Sequence, residues 1–388
     1  MPRRPSPAPK HRADRPVRSR HTDRSGANRV AASSGATLIF PATVPAAARY
    51  VEEARERGEE VVVAASVRGE ETLGFEELIL LPSIYDADFA ERLRALIAAH
   101  DIRRIFSPVA VVHVFLRRLL AEKAFGPRLV GTTPVAAEME SFRRLLREAE
   151  RHRGFIAAAS EGRSRLDLLE IAAILRQADR LYGQSSAVKI AAMIAVCADT
   201  VPGDVVEIGS LVGRTAFVLA HLARRLAIGP VLAIDPWDAG AALQKDAAAF
   251  LKDSQDSWDF ELCFQDFVTN LIPVAGNGFG FLRMPATEAY RRYAAAGRVE
   301  SPWFGPVDYS GRISVLHIDG NHDFAAVSAD CALWVPHIVP GGWLILDDYV
   351  WAHGDGPQRV GDALLAREGE RIERAFVCGK ALFLRFRP

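Results

Sequence analysis

The chain has 388 residues, about half of them apolar, and sets 48 Lys and Arg against 48 Asp and Glu. That length favours two domains over one core, and the charge balance removes any whole-chain electrostatic reason for a nucleic acid or an anionic membrane as partner. Cys197, Cys263, Cys331 and Cys378 lie far apart with no Cys-x-x-Cys pair, which argues against a disulfide framework and a structural zinc site.

Residues 1–35 read as a disordered basic tail. Over the first 30 residues many Arg, Pro and Ser are opposed only by Asp14 and Asp23, with too few apolar side chains to offset the entropy of ordering. A solvated extension is the reading taken, and a nucleic-acid or membrane tether or a transit peptide is its functional alternative. No apolar h-region opens the sequence and no later stretch is long and uncharged enough to span a bilayer, so a soluble, cytoplasmic protein is expected.

Strands and helices then alternate. Ala36 to Pro41 predicts a buried strand, Val44 to Arg57 a helix, Glu60 to Val67 and Glu77 to Leu81 two strands, Asp86 to His100 a helix, Ile102 to Ser107 a strand and Val109 to Lys123 a helix. Strands separated by helices of this length pair in parallel, so residues 36–130 predict a small α/β auxiliary domain. It has no glycine-rich phosphate loop, which leaves docking, substrate shaping or homo-oligomerisation as its expected roles.

Residues 131–180 read as a helical connector: a helix or helical pair between Pro134 and Arg163, then a helix from Leu166 to Leu181. A further helix from Ser186 to Ala198 leads into a second α/β domain over residues 181–388. Its strands are Val205 to Ile208, Val231 to Ile234, Gly280 to Leu282, Ser314 to Ile318, Gly342 to Leu346, and an antiparallel pair, Arg374 to Val377 with Lys380 to Phe386, reversing at Cys378 and Gly379.

The first of these strands runs into Glu207-Ile208-Gly209-Ser210-Leu211-Val212-Gly213-Arg214-Thr215. Gly209 permits a sharp bend and close approach of a ligand, Gly213 permits contact at the helix start, and exposed N–H groups there favour a carboxylate. The Glu-x-Gly-x-x-x-Gly spacing differs from the Gly-x-Gly-x-x-Gly of dinucleotide sites and suits a smaller, cationic, amino-acid-bearing cofactor. The second strand ends on Asp235, placed to accept both ribose hydroxyls. Trp237 either walls the adenine or simply packs. Thr287 and Glu288, after the third strand, stand where an adenine edge would be met.

Two further strands end in acids, at Asp319 in Asp319-Gly320-Asn321-His322 and at Asp347-Asp348. In a parallel sheet these three carboxylates converge beside the cofactor; their repulsion is relieved by a hard divalent cation, and Mg²⁺ suits oxygen ligands better than zinc does. The bland alternative makes Asp347 and Asp348 caps of a turn and His322 a solvated loop residue. His317 reads as a satisfied core histidine. His353 stands in a nearby Gly-rich loop. The stretch Ala239 to Asn277, with Trp258, Phe260, Phe264 and Phe267, reads either as a lid or acceptor wall or as ordinary helix packing.

Taken together, these strand-end motifs resemble the class I S-adenosylmethionine-dependent methyltransferases, over about half of the chain. The resemblance implies a Rossmann-like seven-stranded sheet whose last strand is antiparallel. The Asp-x-x-His turn and the acidic pair are similar to those of the cation-dependent O-methyltransferases that include macrolide-sugar enzymes and cephalosporin hydroxylase-like proteins. By position, that likeness assigns Asp319, Asp347 and Asp348 to a metal, His322 to the role of base, and S-adenosylmethionine as cofactor. A hydroxylated small molecule, a glycoside or natural-product sugar, is the expected acceptor. The competing expectations are a metal-independent methyltransferase and a cofactor-binding assembly module without turnover.

Overall fold

The computed structural model describes residues 35–122, 126–244 and 257–388. The basic tail up to residue 34 and the middle of the stretch read as lid or wall, residues 245–256, lie outside the described residues. Packing divides the chain into two compact units, Met1–Glu138 and Met139–Pro388. No helix among the described residues is long and apolar enough to cross a membrane.

The first unit holds β1 (Ala36–Ile39), α1 (Pro45–Glu56), β2 (Val61–Ala65), β3 (Leu78–Leu80), α2 (Phe89–Ala99), β4 (Ile102–Phe106), α3 (Ala110–Glu122) and β5 (Arg128–Leu129). Its five strands run in the order β3-β2-β1-β4-β5 and pair in parallel throughout. Alternation along β1 divides the core between the two faces. Ala36 and Leu38 pack with Phe89 and Leu93 of α2 and Leu116 of α3, whereas Ile39 packs with Ala47 and Val51 of α1. The edge strand β5 is two residues long, too short for periodicity to reveal.

The helix α4 (Pro134–Ala159) is a single run of 26 residues rather than a pair. Its buried Ala149 and Ile156 join one apolar cluster with α5 (Leu168–Arg180) and α6 (Ala187–Ala198), so residues 139–180, read as a connector, supply part of the second unit's core. Asp167 caps α5 in a reciprocal box with Glu170, and Ser186 caps α6.

The second unit continues with β6 (Asp204–Ile208), α7 (Arg214–Arg225), β7 (Val231–Ile234), α8 (Ala239–Ala242), α9 (Phe260–Ala275), β8 (Phe279–Leu282), α10 (Ala286–Ala296), β9 (Arg298–Ser301), β10 (Gly305–Asp308), β11 (Ile313–Ile318), α11 (Phe324–Trp334), β12 (Ile338–Leu346), α12 (Gly356–Glu368), β13 (Ile372–Cys378) and β14 (Ala381–Phe386). Seven strands form one sheet in the order β13-β14-β12-β11-β6-β7-β8. β14 runs antiparallel to both neighbours while the pairs from β12 to β8 are parallel, as the resemblance implied. Alternate residues face opposite helical layers: Val205, Ala233, Val315 and Ile345 meet α5, α6, α7 and α9, and Val206, Leu232, Leu316 and Leu344 meet the layer of α10, α11 and α12.

Two further features depart from expectation. β12 begins at Ile338, before Pro340-Gly341-Gly342, because an irregularity in the β11–β12 register absorbs the turn-like residues inside a strand. The hairpin β9–β10 was not foreseen, its strands being short and mixed in polarity. Ser301 fixes it to β8 by bonding both the N–H and the carbonyl of Phe281, at 2.8 and 2.9 Å.

Candidate functional site

The carboxyl ends of β6, β7, β11 and β12 open onto a cleft of about 450 Å³. Crevices of this kind lie where a parallel sheet reverses strand order, here between β6 and β11. Four non-glycine residues in or beside it, Leu211, Trp237, Asp348 and Lys380, hold positive φ angles of 45°, 44°, 48° and 73°, the sort of backbone strain that collects at functional sites.

The loop between β6 and α7 is built by its own chain. Gly209 sits at φ +86°, and a Cβ there would come 2.0 Å from the Asp319 carbonyl oxygen. Glycine is thus required by the approach of the β11 end, before any ligand is considered. Gly213, at φ +90°, makes room for Leu271 and Phe267 of α9. The N–H groups of Ser210 and Leu211 each donate to Asp235 Oδ2 at 2.9 Å, and that of Trp237 to Oδ1 at 2.8 Å. Asp235 therefore ties the loop while lining the cleft, and two of the N–H groups of the turn, those of Ser210 and Leu211, are engaged by it. Burial pushes the Asp235 carboxyl up, opposed by these three donors.

The remaining residues of the predicted cofactor set divide in two. Ser210, Arg214, Thr215 and Thr287 line the cleft with Gly209 and Asp235. Arg214 donates from Nη1 to the Leu181 carbonyl at 3.1 Å. Glu207 instead lies fully buried beneath the loop, accepting from Ser210 Oγ at 2.7 Å and from His317 Nδ1 at 3.0 Å. Trp237 is packed among Phe264, Phe267 and Phe281 and donates from Nε1 to the Leu211 carbonyl at 2.6 Å, an aromatic cluster outside the cleft lining. Glu288 is exposed on α10, outside the cleft lining. The aromatics after Ala239 split likewise, with Trp258 and Phe260 on the cleft and Phe264 and Phe267 in the core.

The three strand-end carboxylates do converge, and two lysines converge with them. Lys189, on the otherwise apolar α6, is 1% exposed, bonded through Nζ to Asp347 and 3.4 Å from Asp319 Oδ2. Lys380, in the β13–β14 turn, reaches Asp348 Oδ1 at 3.0 Å. Burial works against the Lys189 ammonium, yet Asp319 and Asp347 hold its pKa above the ordinary value. Burial and the adjacent Asp347 charge raise the Asp319 carboxyl. Asp347 is held low against its burial, chiefly by Lys189.

Two ligand-like groupings result, His317 with Asp319 and Asp347, and Asp319 with His322 and Asp348, the donor atoms within each lying within 4.8 Å of one another. Carboxylate oxygens supplemented by imidazole, with room for retained water on the cleft side, are a donor set that fits a hard divalent ion. The signal for Lys189 was present in the sequence: a helix apolar on every side is buried, and a lone lysine in it must find a counter-charge.

His322 stands where the Asp-x-x-His turn meets α8. Asn321 donates from Nδ2 to the carbonyls of Ala241 and Leu243, both at 3.1 Å, and so brings Gln244 to the site. His322 Nε2 lies 3.2 Å from Asp348 Oδ2, and Nδ1 lies 3.2 Å from Gln244 Nε2. A carboxylate can only accept and an amide N–H₂ only donate, so Nε2 carries the proton and Nδ1 the lone pair. Trp351 packs edge-on against the imidazole at 4.6 Å. Burial lowers the His322 pKa, with Asp348 opposing it, so the ring is neutral near pH 7. His353 lies exposed beyond Trp351.

Residues 206–349 match a family model described as a methyltransferase domain. No curated protein sequence matches the chain. Among solved structures, the O-methyltransferase NovP is similar at 16% identity over 48% of this chain and 73% of its own, with a TM-score of 0.36. Calicheamicin methyltransferase CalS11 is similar at 14% identity over 66% and 94%, with a TM-score of 0.34. MycE of the mycinamycin pathway, solved with Mg, S-adenosylhomocysteine and mycinamycin VI, is similar at 15% identity over 48% and 45%, with a TM-score of 0.28.

Proposed function

We propose, from the premise that residues 206–349 carry the domain of a class I S-adenosylmethionine-dependent methyltransferase, that the chain methylates a hydroxyl of a small molecule of the glycoside or natural-product-sugar kind. The observation that carries this is His322, a cleft-lining residue whose Nδ1 meets cleft-lining Gln244 while Asp348 holds its other nitrogen. That is the arrangement of a general base and its orienting carboxylate. Gln244 occupies the hydrogen-bonding position that the acceptor hydroxyl takes over.

Asp235, Ser210, Arg214, Thr215 and Thr287 would hold the cofactor along the cleft, with Arg214 toward its amino-acid end and Asp235 toward its ribose. When bound, S-adenosylmethionine supplies an electrophilic methyl carbon, which passes to the acceptor oxygen as its bond to sulfur breaks. His322 Nδ1 takes the hydroxyl proton, and Asp348 stabilises the imidazolium that forms. Asp319, Asp347 and Asp348 would hold a Mg²⁺ ion, whose charge would make the acceptor hydroxyl more acidic. The cleft walls, Trp351 and Trp258 among them, orient the acceptor and restrict water, and such positioning supplies much of the rate of a bimolecular transfer.

Transfer of labelled methyl groups to a panel of hydroxylated glycosides, with and without a chelator, is the test. His322→Ala is expected to lower turnover by about 100- to 10,000-fold while calorimetry shows cofactor affinity little changed. Undiminished transfer in that variant would remove the base from the account, and full activity after exhaustive chelation would remove the metal.

A further inference from the structure

We propose that the first unit carries a site for the phosphoryl group of a small molecule, formed by Arg104, Arg128 and Tyr50 on the sheet face beside α1. The site lies apart from the methyl-transfer reading above and does not rest on it.

Strand alternation puts these side chains together. Ile105 and Leu129 pack with the apolar cluster of α2 and α3, whereas Phe106 packs with Ile39 and with Ala47 and Val51 of α1. Arg104 and Arg128 therefore share the α1 side of the sheet, and the register of the parallel strands β4 and β5 sets them directly opposite each other. Like charges in that position repel. A cavity of about 380 Å³ opens on this face, lined by Tyr50, Glu59, Arg104, Arg128 and the segment from Leu129 to Gly131. That volume falls in the range that small-molecule sites occupy.

The charges around the cavity do not balance. Arg104 donates from Nε to Thr37 Oγ1 at 2.8 Å and from Nη2 to Glu59 Oε2 at 3.1 Å, bonds that fix the guanidinium and leave the Nη1 donors for another partner. Glu59 is the one carboxylate in the lining, and it also accepts from Arg57 Nε at 2.8 Å. Arg57 first, and Arg104 after it, hold the Glu59 carboxyl below its ordinary pKa. Arg128 is exposed and pairs with no carboxylate among the described residues. Tyr50 stacks on Phe106, the ring centroids 3.9 Å apart at 9°. Burial, with the Glu59 charge after it, raises the Tyr50 pKa, so its hydroxyl stays a donor. Two guanidinium groups and a phenol thus face one carboxylate that two arginines already share. A phosphoryl group answers that excess, since it brings about −1.5 to −2 charge and three acceptor oxygens, and the guanidinium fork matches its geometry.

Calorimetric titration of the full chain with inorganic phosphate tests the site. The parent is expected to bind saturably, and Arg128→Ala to bind about tenfold or more weakly. Arg128→Lys should also lose affinity, because an ammonium keeps the charge without the fork. Arg118→Ala, which removes an exposed arginine from α3 on the other side of the sheet, should bind phosphate as the parent does. No saturable binding by the parent, or an equal loss in Arg118→Ala, would overturn the proposal. Tighter binding of malonate than of phosphate would overturn it too, in favour of a carboxylate site. If Arg128→Ala does not fold, phenylglyoxal modification of the unaltered chain, read by mass spectrometry, decides the matter. Phosphate should protect Arg104 and Arg128 while Arg118 stays reactive, and undiminished modification of Arg128 would count against the site.

Discussion

The main sheets of the two units wind their first five strands in the same order, third, second, first, fourth, fifth, all parallel, yet they end those strands differently. In the first unit β1 runs into Phe40-Pro41-Ala42, β2 into Ser66 and β4 into Ser107. The hydroxyls of Ser66 and Ser107 donate to nearby carbonyls, of Pro82 at 3.0 Å and Val109 at 3.4 Å, so those strand tips serve their own loops. In the second unit the corresponding strands end on Gly209, Asp235 and Asp319, and a fifth ends on the Asp347-Asp348 pair. One strand order therefore serves both self-closing strand tips and a reactive cleft, and the residue that follows each strand decides between them.

The sharpest way to break the contrast is at the first strand tip. Gly209→Val would set a β-branched side chain at φ +86° and 2.0 Å from the Asp319 carbonyl oxygen. We expect a loss of about 4 kcal/mol or more, measured by denaturant unfolding, together with loss of cofactor binding. Gly58→Ala in the first unit, at φ +69° with open space around the position, is expected to cost only about 1 kcal/mol.

A second contrast lies in how the cleft treats charge. Burial alone pushes the Asp330 carboxyl up to about 7 from its ordinary 3.8, and this residue lines the cleft without an ion-pair partner among the described residues. The unfolded chain therefore releases that proton first as pH rises. The folded state carries no penalty below pH 3.8, gains one progressively, and bears it in full above about 7. Asp330→Asn should accordingly stabilise the protein by about 1–2 kcal/mol at pH 8, after discounting for partial exposure, and by nothing measurable near pH 4. Thermal midpoints at the two pH values check this, and an equal gain at both would refute the assignment of the charge.

The smallest effect belongs to the first unit. Arg104 donates from Nε to Thr37 Oγ1 at 2.8 Å and pairs with Glu59 at 3.1 Å. Arg104→Ala is expected to cost about 1 kcal/mol with unchanged affinity for S-adenosylmethionine. A large loss of cofactor affinity would show that the first unit is more than a scaffold for the reaction.

Much of the fold was legible because local pattern decides it. Ala36 to Pro41 and Val231 to Ile234 are short, largely apolar runs, and each holds the expected strand. Elements that local pattern does not decide were missed, namely the two-residue β5, the polar hairpin β9–β10, and a β12 that continues through a proline and two glycines. The same divide runs through the site. Asp235, Asp319, Asp347 and Asp348 are visible because each follows a strand. The partners of Lys189 stand 130 and 158 residues away, and Glu207 spends its carboxylate on His317 across 110 residues. Pairings of that range arise from sheet register, which a sequence window does not contain. The inward turn of Trp237 and the outward turn of Glu288 depend likewise on which helix packs where.

The central claim is that the cofactor and the His322–Asp348 pair share one cleft at the strand tips of the second unit. A crystal structure of the full chain grown with S-adenosylhomocysteine tests it most directly. The account predicts ribose hydroxyls against Asp235 and a sulfur atom facing His322 across the cleft. A cofactor seated elsewhere, or a sulfur turned away from His322 with other side chains filling the space between them, would contradict it.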